Sequence, residues 1–226
     1  MSQSRLFVDI GNSAVKWRSQ GLEVFTKEID QFSTKLLPKA DSVWVSAVAH
    51  LNIVEEIKAE FTCVNLVRPS KLYGGLTLSY DDPSKLGVDR FLAMLGALEH
   101  FPNSPLLVID VGSAVTFDII DAKGIHQGGL IMPGLKALRE SFAKFSTNDL
   151  SINTSELKNS TEGGWHSGTH AMLVSAINSQ IENFELQFPD GVKTICGGIA
   201  KEILIELPLP VKFFDNLVLD GLESYS

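Results

Sequence analysis

The sequence predicts an α/β fold built twice, and three observations carry that expectation. RLFVDIGNSAVKW (residues 5–17) and LLVIDVGSAVTFDII (106–120) follow one plan: an apolar β-like run, an aspartate near its end, a turn of glycine and small residues, and a resumed apolar run. Each is followed first by further strand-like runs and then by apolar residues at helical spacing. The 226 residues are 44% hydrophobic and 20% charged, a composition that supports one large domain or two of roughly 100 residues. No low-complexity segment or linker separates the halves. The expected domains are 1–103 and 104–226, with ligands at strand ends and in the cleft between the halves.

In the first half, residues 5–9, 14–19 and 22–29 read as consecutive strands, and SVWVSAV (42–48) as another. LNIVEEIKAEF places Ile53, Ile57 and Phe61 at helical spacing. Residues 62–67 and 75–80 return to strand character. The polar, turn-rich SYDDPSKLG precedes a helix whose stripe is Val88, Phe91, Leu92, Leu95 and Leu98. The second half repeats the plan with strands 106–110, 114–120 and 125–131 and a helix in PGLKALRESFAKF. Residues 146–163 lack periodicity and read as a loop. A long helix follows over about 164–185, with Met172, Leu173, Ala176, Ile177 and Ile181 on one face. VKTICGG reads as a strand, followed by a final helix and a short terminal strand.

A net charge of −8 and the lack of any basic run speak against a nucleic-acid binder. An anionic ligand must then be held by local groups against the global field. No apolar run approaches a membrane span, and the N-terminus does not read as a signal peptide, so the expected setting is the cytoplasm. Cys63 and Cys196 form no disulfide framework or zinc site and read as two buried small hydrophobes. Of the five histidines, His166 and His170 share a helical face, and exposed helix positions are the simplest reading. Trp17, Trp44 and Trp165 read as core or interface anchors.

The chemistry concentrates in the two turns. Gly11 and Gly112 let the backbone come close to a ligand, and a turn of small residues offers N–H donors to phosphate oxygens. Ser13 and Ser113 add hydroxyls. Asp9 and Asp110 supply oxygen ligands for hard cations, and Lys16 can neutralise charge on a transferring phosphoryl group. Two ordinary hairpins with aspartate caps would look alike singly; their recurrence at equivalent places favours phosphate binding. Neither a Walker nor a Rossmann glycine motif is present. In SYDDPSKLGVDRF, Arg90 offers a forked donor set for a carboxylate and Tyr80 a ring and a hydroxyl. Asp89 suits a catalytic base, though from the residues alone the simpler reading is the cap of the helix beginning at Val88, with Arg90 in a surface ion pair.

DIGNS, LGVDR, DVGSAVTFD and QGGLIMPG, in this order, resemble the type III pantothenate kinases. The similarity runs from Asp9 to the Gly197-Gly198 pair, with Ser13 and Ser113 where that family usually has threonine. The resemblance implies the acetate and sugar kinase/heat-shock-70/actin superfold, with duplicated RNase H-like halves around a central cleft. It implies ATP-dependent phosphorylation of pantothenate to 4'-phosphopantothenate, with Mg²⁺ at Asp9 and a monovalent cation, K⁺ or NH₄⁺, at Asp110. The ATP-binding residues it implies are Asp9, Ile10, Gly11, Asn12, Ser13, Ala14, Val15, Lys16, Gly112, Ser113 and Ala114. Those for pantothenate are Asn12, Tyr80, Gly87, Val88, Asp89, Arg90 and Thr161, with Asp89 catalytic and Thr161 acting across a homodimer interface; on the residue alone, Thr161 reads equally as the N-cap of the long helix. Asp118 would support the second turn or simply end a strand, and Gly128-Gly129 and Gly197-Gly198 would let the adenosine approach or simply turn the chain. A kinase for another small hydroxylated acceptor and a non-catalytic nucleotide-binding regulator are the rival readings.

Overall fold

A computed structural model describes residues 4–142, 144 and 155–226. In chain order its elements are β1 (Arg5–Ile10), β2 (Ala14–Ser19), β3 (Phe25–Glu28), β4 (Ser42–Ala47), α1 (Leu51–Glu60), β5 (Val64–Leu66), β6 (Leu72–Tyr73), β7 (Leu76–Thr77) and α2 (Val88–His100). Then come β8 (Leu106–Val111), β9 (Ala114–Ile120), β10 (His126–Pro133), α3 (Leu135–Glu140), α4 (Thr161–Gln187), β11 (Val192–Cys196), α5 (Ala200–Ile203), β12 (Lys212–Phe213) and α6 (Leu217–Tyr225). The chain divides into one unit of Met1–Asn103, Asp121–Gln127 and Asn216–Ser226, and a second of Ser104–Ile120 and Gly128–Asp215.

The first unit is built on the sheet β3-β2-β1-β4-β5. β1 pairs antiparallel with β2 and parallel with β4, so it lies at the centre. A central strand covered on both faces needs a nearly continuous apolar run, and Leu6, Phe7, Val8 and Ile10 are all fully buried. Leu6, Val8 and Ile10 join Val15, Trp17, Val43 and Val45 under Ile53, Val54 and Ile57 of α1. The other face is covered by α2 and α6. Trp44 of β4 meets Tyr225 edge-on at 6.1 Å, and Arg18 of β2 reaches Asp220 and Glu223 at 2.9 and 2.8 Å. α2 and α6 cross with their backbones nearly touching. A Cβ on Gly221 would stand 1.9 Å from the Leu92 carbonyl oxygen, and one on Gly96 would stand 2.4 Å from that of Leu217.

The second unit repeats the topology as β10-β9-β8-β11-β12. β8 takes the central place, antiparallel to β9 and parallel to β11. Leu107, Ile109, Val111, Val115 and Phe117 pack against Leu173, Val174, Ile177, Ile181 and Phe184 of α4, with Ile195, Ala200 and Ile203.

The structure corrects several sequence expectations. The third strand starts at Phe25, after a turn at Gly21 with φ of 71°. The strand expected over 75–80 is instead a short hairpin, β6–β7, turning on Gly74 and Gly75 at φ 53° and 82°. α4 begins at Thr161, inside the expected loop, because the Ser160 side chain accepts the Gly163 N–H; residues 146–154 of that loop lie outside the described residues. Met172 is 60% exposed rather than on the buried face. After β11 come a helix and a short strand, α5 and β12, in the expected order, but a further helix, α6, follows them, its Gly221 packed on α2. Cys63 is exposed, whereas Cys196 is buried.

The α2–α6 crossing yields a test. In an ordinary helix interior Gly→Ala gains about 1 kcal/mol. Here the methyl group meets backbone, so Gly221→Ala should destabilise by about 2 kcal/mol, lowering Tm by about 4–8 °C in a thermal melt; a raised Tm would contradict the close approach.

Candidate active site

In the first unit, Asp9 is the last residue but one of β1 and half-buried, between the fully buried Val8 and Ile10. The antiparallel register sets Lys16 directly opposite it, and the parallel register sets Ser46 beside it. Cross-strand partners on one face stand about 5 Å apart at Cβ, so carboxylate, ammonium and hydroxyl group together. Ser46 is fully buried, and its Oγ has no hydrogen-bond partner among the described residues. A carboxylate beside an unsatisfied hydroxyl is an oxygen donor set of the kind hard divalent cations take. Ile10 pairs with Val15, leaving Gly11, Asn12, Ser13 and Ala14 as the turn. Ile10 and Val15 bury their side chains completely, so only their backbone can meet a ligand. The Gly11 N–H donates to the Ala14 carbonyl at 3.0 Å, and the Ile29 N–H to that of Ser13 at 3.1 Å.

The second unit builds its turn likewise at the end of β8. Asp110 is opposite Thr116 and beside Cys196. Val111 pairs with Val115, so Gly112, Ser113 and Ala114 form a turn one residue shorter than the first. Gly112 N–H donates to the Ala114 carbonyl at 2.9 Å, and Gly134 N–H to that of Ser113 at 3.2 Å. Gly134 escaped the sequence reading. A Cβ there would stand 2.3 Å from the Gly112 carbonyl oxygen and 2.6 Å from that of Ser113; it closes the QGGLIMPG stretch, in which the sequence reading gave it no role of its own. Gly197, at φ 108°, lies against the Val111 backbone, with 2.4 Å from its would-be Cβ to the Val111 oxygen. Asp118 is buried within β9.

A third group lies in the first unit, around the start of α2. Arg90 is 6% exposed, not a surface ion pair, and its Nη1 donates to the Tyr80 hydroxyl at 3.2 Å. Asp89 does not cap the helix: Gly87 holds that position. The Asp89 Oδ1 accepts the Arg90 N–H at 2.8 Å, and a Cβ on Gly87 would come within 2.5 Å of the same oxygen. The missing side chain at Gly87 is thus what leaves the carboxylate its place. Val88 is buried at the head of the helix. His126, which the sequence left without a role, is buried and stacks on Tyr80 with ring centroids 6.0 Å apart and planes at 11°. Its Nδ1 meets the Ser79 hydroxyl at 3.2 Å.

Thr161, in the second unit, is the exposed first residue of α4. His166 and His170 are buried, not exposed, and His170 Nε2 meets Glu206 Oε1 at 2.6 Å. No group of three or more His, Cys, Asp or Glu side chains fit for a metal ion occurs among the described residues. Trp17 is core, stacked on Phe25 at 5.8 Å, while Trp165 donates its Nε1–H to the Arg139 carbonyl at 3.1 Å.

Asp82 sets the entry to the Asp89 helix. Its Oδ1 accepts both the hydroxyl and the N–H of Ser84, at 2.7 and 3.0 Å, at the head of a 3₁₀ turn over Pro83–Lys85. The hydroxyl first, then the N–H, hold the carboxyl below its usual range. A depressed folded-state pKa stabilises above the ordinary value of about 3.9 and ceases to do so as pH falls through the depressed one. Hydrogen exchange, corrected for intrinsic rates, should therefore show the Ser84–Gly87 amides opening in acid, and Asp82→Ala opening them already at pH 7. Equal protection in wild type and variant at pH 7 would contradict the cap.

The match to known proteins follows these features. Residues 5–183 fit the family model of type III pantothenate kinase. A type III pantothenate kinase from Alcanivorax borkumensis is 30% identical over 96% of this chain and 96% of its own. Among solved structures, a conserved protein of the Baf family of transcriptional activators from Campylobacter jejuni has a TM-score of 0.65 at 23% identity, over 97% of this chain and 96% of that one. A glucokinase from an Antarctic psychrotroph has a TM-score of 0.51 at 12% identity, over 100% and 99% of the two chains. These structures share the fold, the α/β architecture with duplicated actin-like halves. With two sheets of one topology, an aspartate at the end of each central strand and a family model matched over most of its length, the chain belongs to the type III pantothenate kinase family.

Proposed function

We propose that this chain transfers the γ-phosphoryl group of ATP to the primary hydroxyl of pantothenate, giving 4'-phosphopantothenate and ADP, with Asp89 as catalytic base. Family membership establishes the class of reaction, an ATP-dependent phosphotransferase acting on pantothenate in coenzyme A biosynthesis. The observation that supports the residue assignment is the Tyr80–Asp89–Arg90 group. There a guanidinium and a phenol hydroxyl are joined at 3.2 Å, beside a carboxylate fixed at one oxygen by the Arg90 N–H. Arg90 and Tyr80 suit the carboxylate and hydroxyls of pantothenate. The Asp89 carboxylate takes the proton as the hydroxyl oxygen bonds to phosphorus, and the electron pair of the broken β,γ-bridge bond leaves with ADP. A loose transition state asks mainly for alignment and charge stabilisation.

The phosphates are assigned to the two turns. Gly11, Asn12, Ser13 and Ala14 supply one set of backbone contacts, with Ile10 and Val15 flanking it; Gly112, Ser113 and Ala114 supply the other. Lys16, opposite Asp9, serves the transferring group. Asp9 with Ser46 fits Mg²⁺, and Asp110 fits K⁺ or NH₄⁺. Such cations supply neutralisation of the phosphate charge that an acidic chain otherwise lacks. The contrast between the turns supports a second cation: where Asp9 faces a lysine, Asp110 faces the neutral Thr116. We further assign a homodimer in the cytoplasm, in which exposed Thr161 reaches pantothenate bound by the partner subunit. No described helix is long and apolar enough to cross a membrane.

Three measurements check this reading. Pantothenate-dependent ADP release with Mg²⁺ and K⁺ should fall at least about 10²-fold in Asp89→Asn while the melting curve stays in place; near-native kcat would remove Asp89 from the role. Gly87→Ala pushes on the Asp89 carboxylate rather than on backbone, so kcat should drop with little change in Tm. An unchanged kcat would show that the oxygen needs no such clearance. Mixing Asp89→Asn with Thr161→Ala subunits should recover activity that neither variant has alone, and no recovery would argue against a site shared between subunits.

A further inference from the structure

We propose that His50 is a positioning residue of the first phosphate turn, holding the Asn12 carbonyl so that the Asn12–Ser13 peptide presents its N–H edge to the ATP phosphates. The inference rests on the assignment of that turn to ATP. His50 Nε2 lies 3.1 Å from the Asn12 carbonyl oxygen. A carbonyl only accepts, so Nε2 carries the proton and donates. In a planar trans peptide the N–H points opposite to the C=O; fixing the Asn12 oxygen therefore fixes the direction of the Ser13 N–H. The next two carbonyls of the turn are held as well, that of Ser13 by the Ile29 N–H at 3.1 Å and that of Ala14 by the Gly11 N–H at 3.0 Å. With three successive carbonyls drawn to protein donors, the turn keeps the concave, N–H-lined form that suits an anion.

Two features of His50 make sense only if its ring is wanted at this place. It stands in the left-handed region, at φ 51° and ψ 48°, which is uncommon for a residue other than glycine. It also occupies the N-cap position of α1 without making a side-chain cap bond, where serine, threonine or aspartate would bond the first N–H groups. Backbone conformation and cap are both given over to aiming the ring at Asn12. The segment before it is tied to the same turn, with the Val48 N–H donating to the Ile10 carbonyl at 3.2 Å. The second turn explains why only the first needs this help. It is one residue shorter, and its Ser113 and Ala114 carbonyls are taken by the Gly134 and Gly112 N–H groups, at 3.2 and 2.9 Å. Asn12 is the additional residue, and His50 supplies the additional donor.

The test is steady-state kinetics of the full chain with ATP, Mg²⁺, K⁺ and pantothenate, on wild type, His50→Gly, His50→Gln and Asp9→Asn. Glycine accepts the left-handed conformation, so His50→Gly should fold with an undiminished Tm. Its KM for ATP should rise about three- to tenfold, the scale of one hydrogen bond, while the KM for pantothenate stays within about twofold. His50→Gln, which carries an N–H at similar reach, should recover most of that loss. A wild-type KM for ATP in His50→Gly, an equal rise for both substrates, or no recovery by glutamine would each overturn the positioning role. Asp9→Asn separates the two levels: a raised KM for ATP there with none in His50→Gly sinks only the role of His50. An unchanged KM for ATP in Asp9→Asn sinks the assignment of the turn itself, and the inference with it.

Discussion

The architecture depends on where an aspartate can stand on a strand that is buried on both faces. An ionised carboxylate inside such a strand, without a partner, would cost several kcal/mol. β1 resolves this by position. Its interior is filled by Leu6, Phe7 and Val8, and Asp9 comes only at the last position but one, half-buried, opposite a lysine and beside a serine. β8 does the same with Leu107, Val108, Ile109 and then Asp110. The apolar run that fixes each strand at the centre of its sheet thereby also carries the acid to the strand end, so that stability and chemistry are set by one stretch of sequence.

Duplication preserves this device and varies what surrounds it. In both units the residue after the third strand donates its N–H to a turn carbonyl, Ile29 to Ser13 and Gly134 to Ser113. The cross-strand neighbour of the aspartate changes from Lys16 to Thr116, and the turn from four residues to three. Two copies of one frame thus offer different local charge, which is what unequal roles toward a triphosphate would require.

Much of this was legible in the sequence, for definite reasons. Alternation and β-branched runs mark β1, β2, β8 and β9, and the aspartate–glycine pattern marks both turns, because these signals are local. The C-terminal helix was not legible: Leu217, Val218 and Leu219 have β character, and only the glycine contact with α2 makes a helix of them. Nor were His166 and His170, since polar residues spaced along a long helix suggest a solvated face when they are in fact buried. Ser46, His126, Gly134 and His50 lie far in sequence from what they touch. Each is an ordinary residue until the sheet brings Asp9, Tyr80, Ser113 or Asn12 to it.

The α2–α6 crossing bears on how the chain is made. The two helices share one backbone contact within the first unit, yet the whole sequence of the second unit is translated between them. When α2 has left the ribosome, one face of the sheet beneath it still waits for its cover, with Leu92 and Gly96 lacking the surface they pack on. Contacts of such sequence separation close late and slow folding. The first unit is first in the gene and last to be finished, and its unfinished apolar face is the surface that folding helpers would have to protect in the interval.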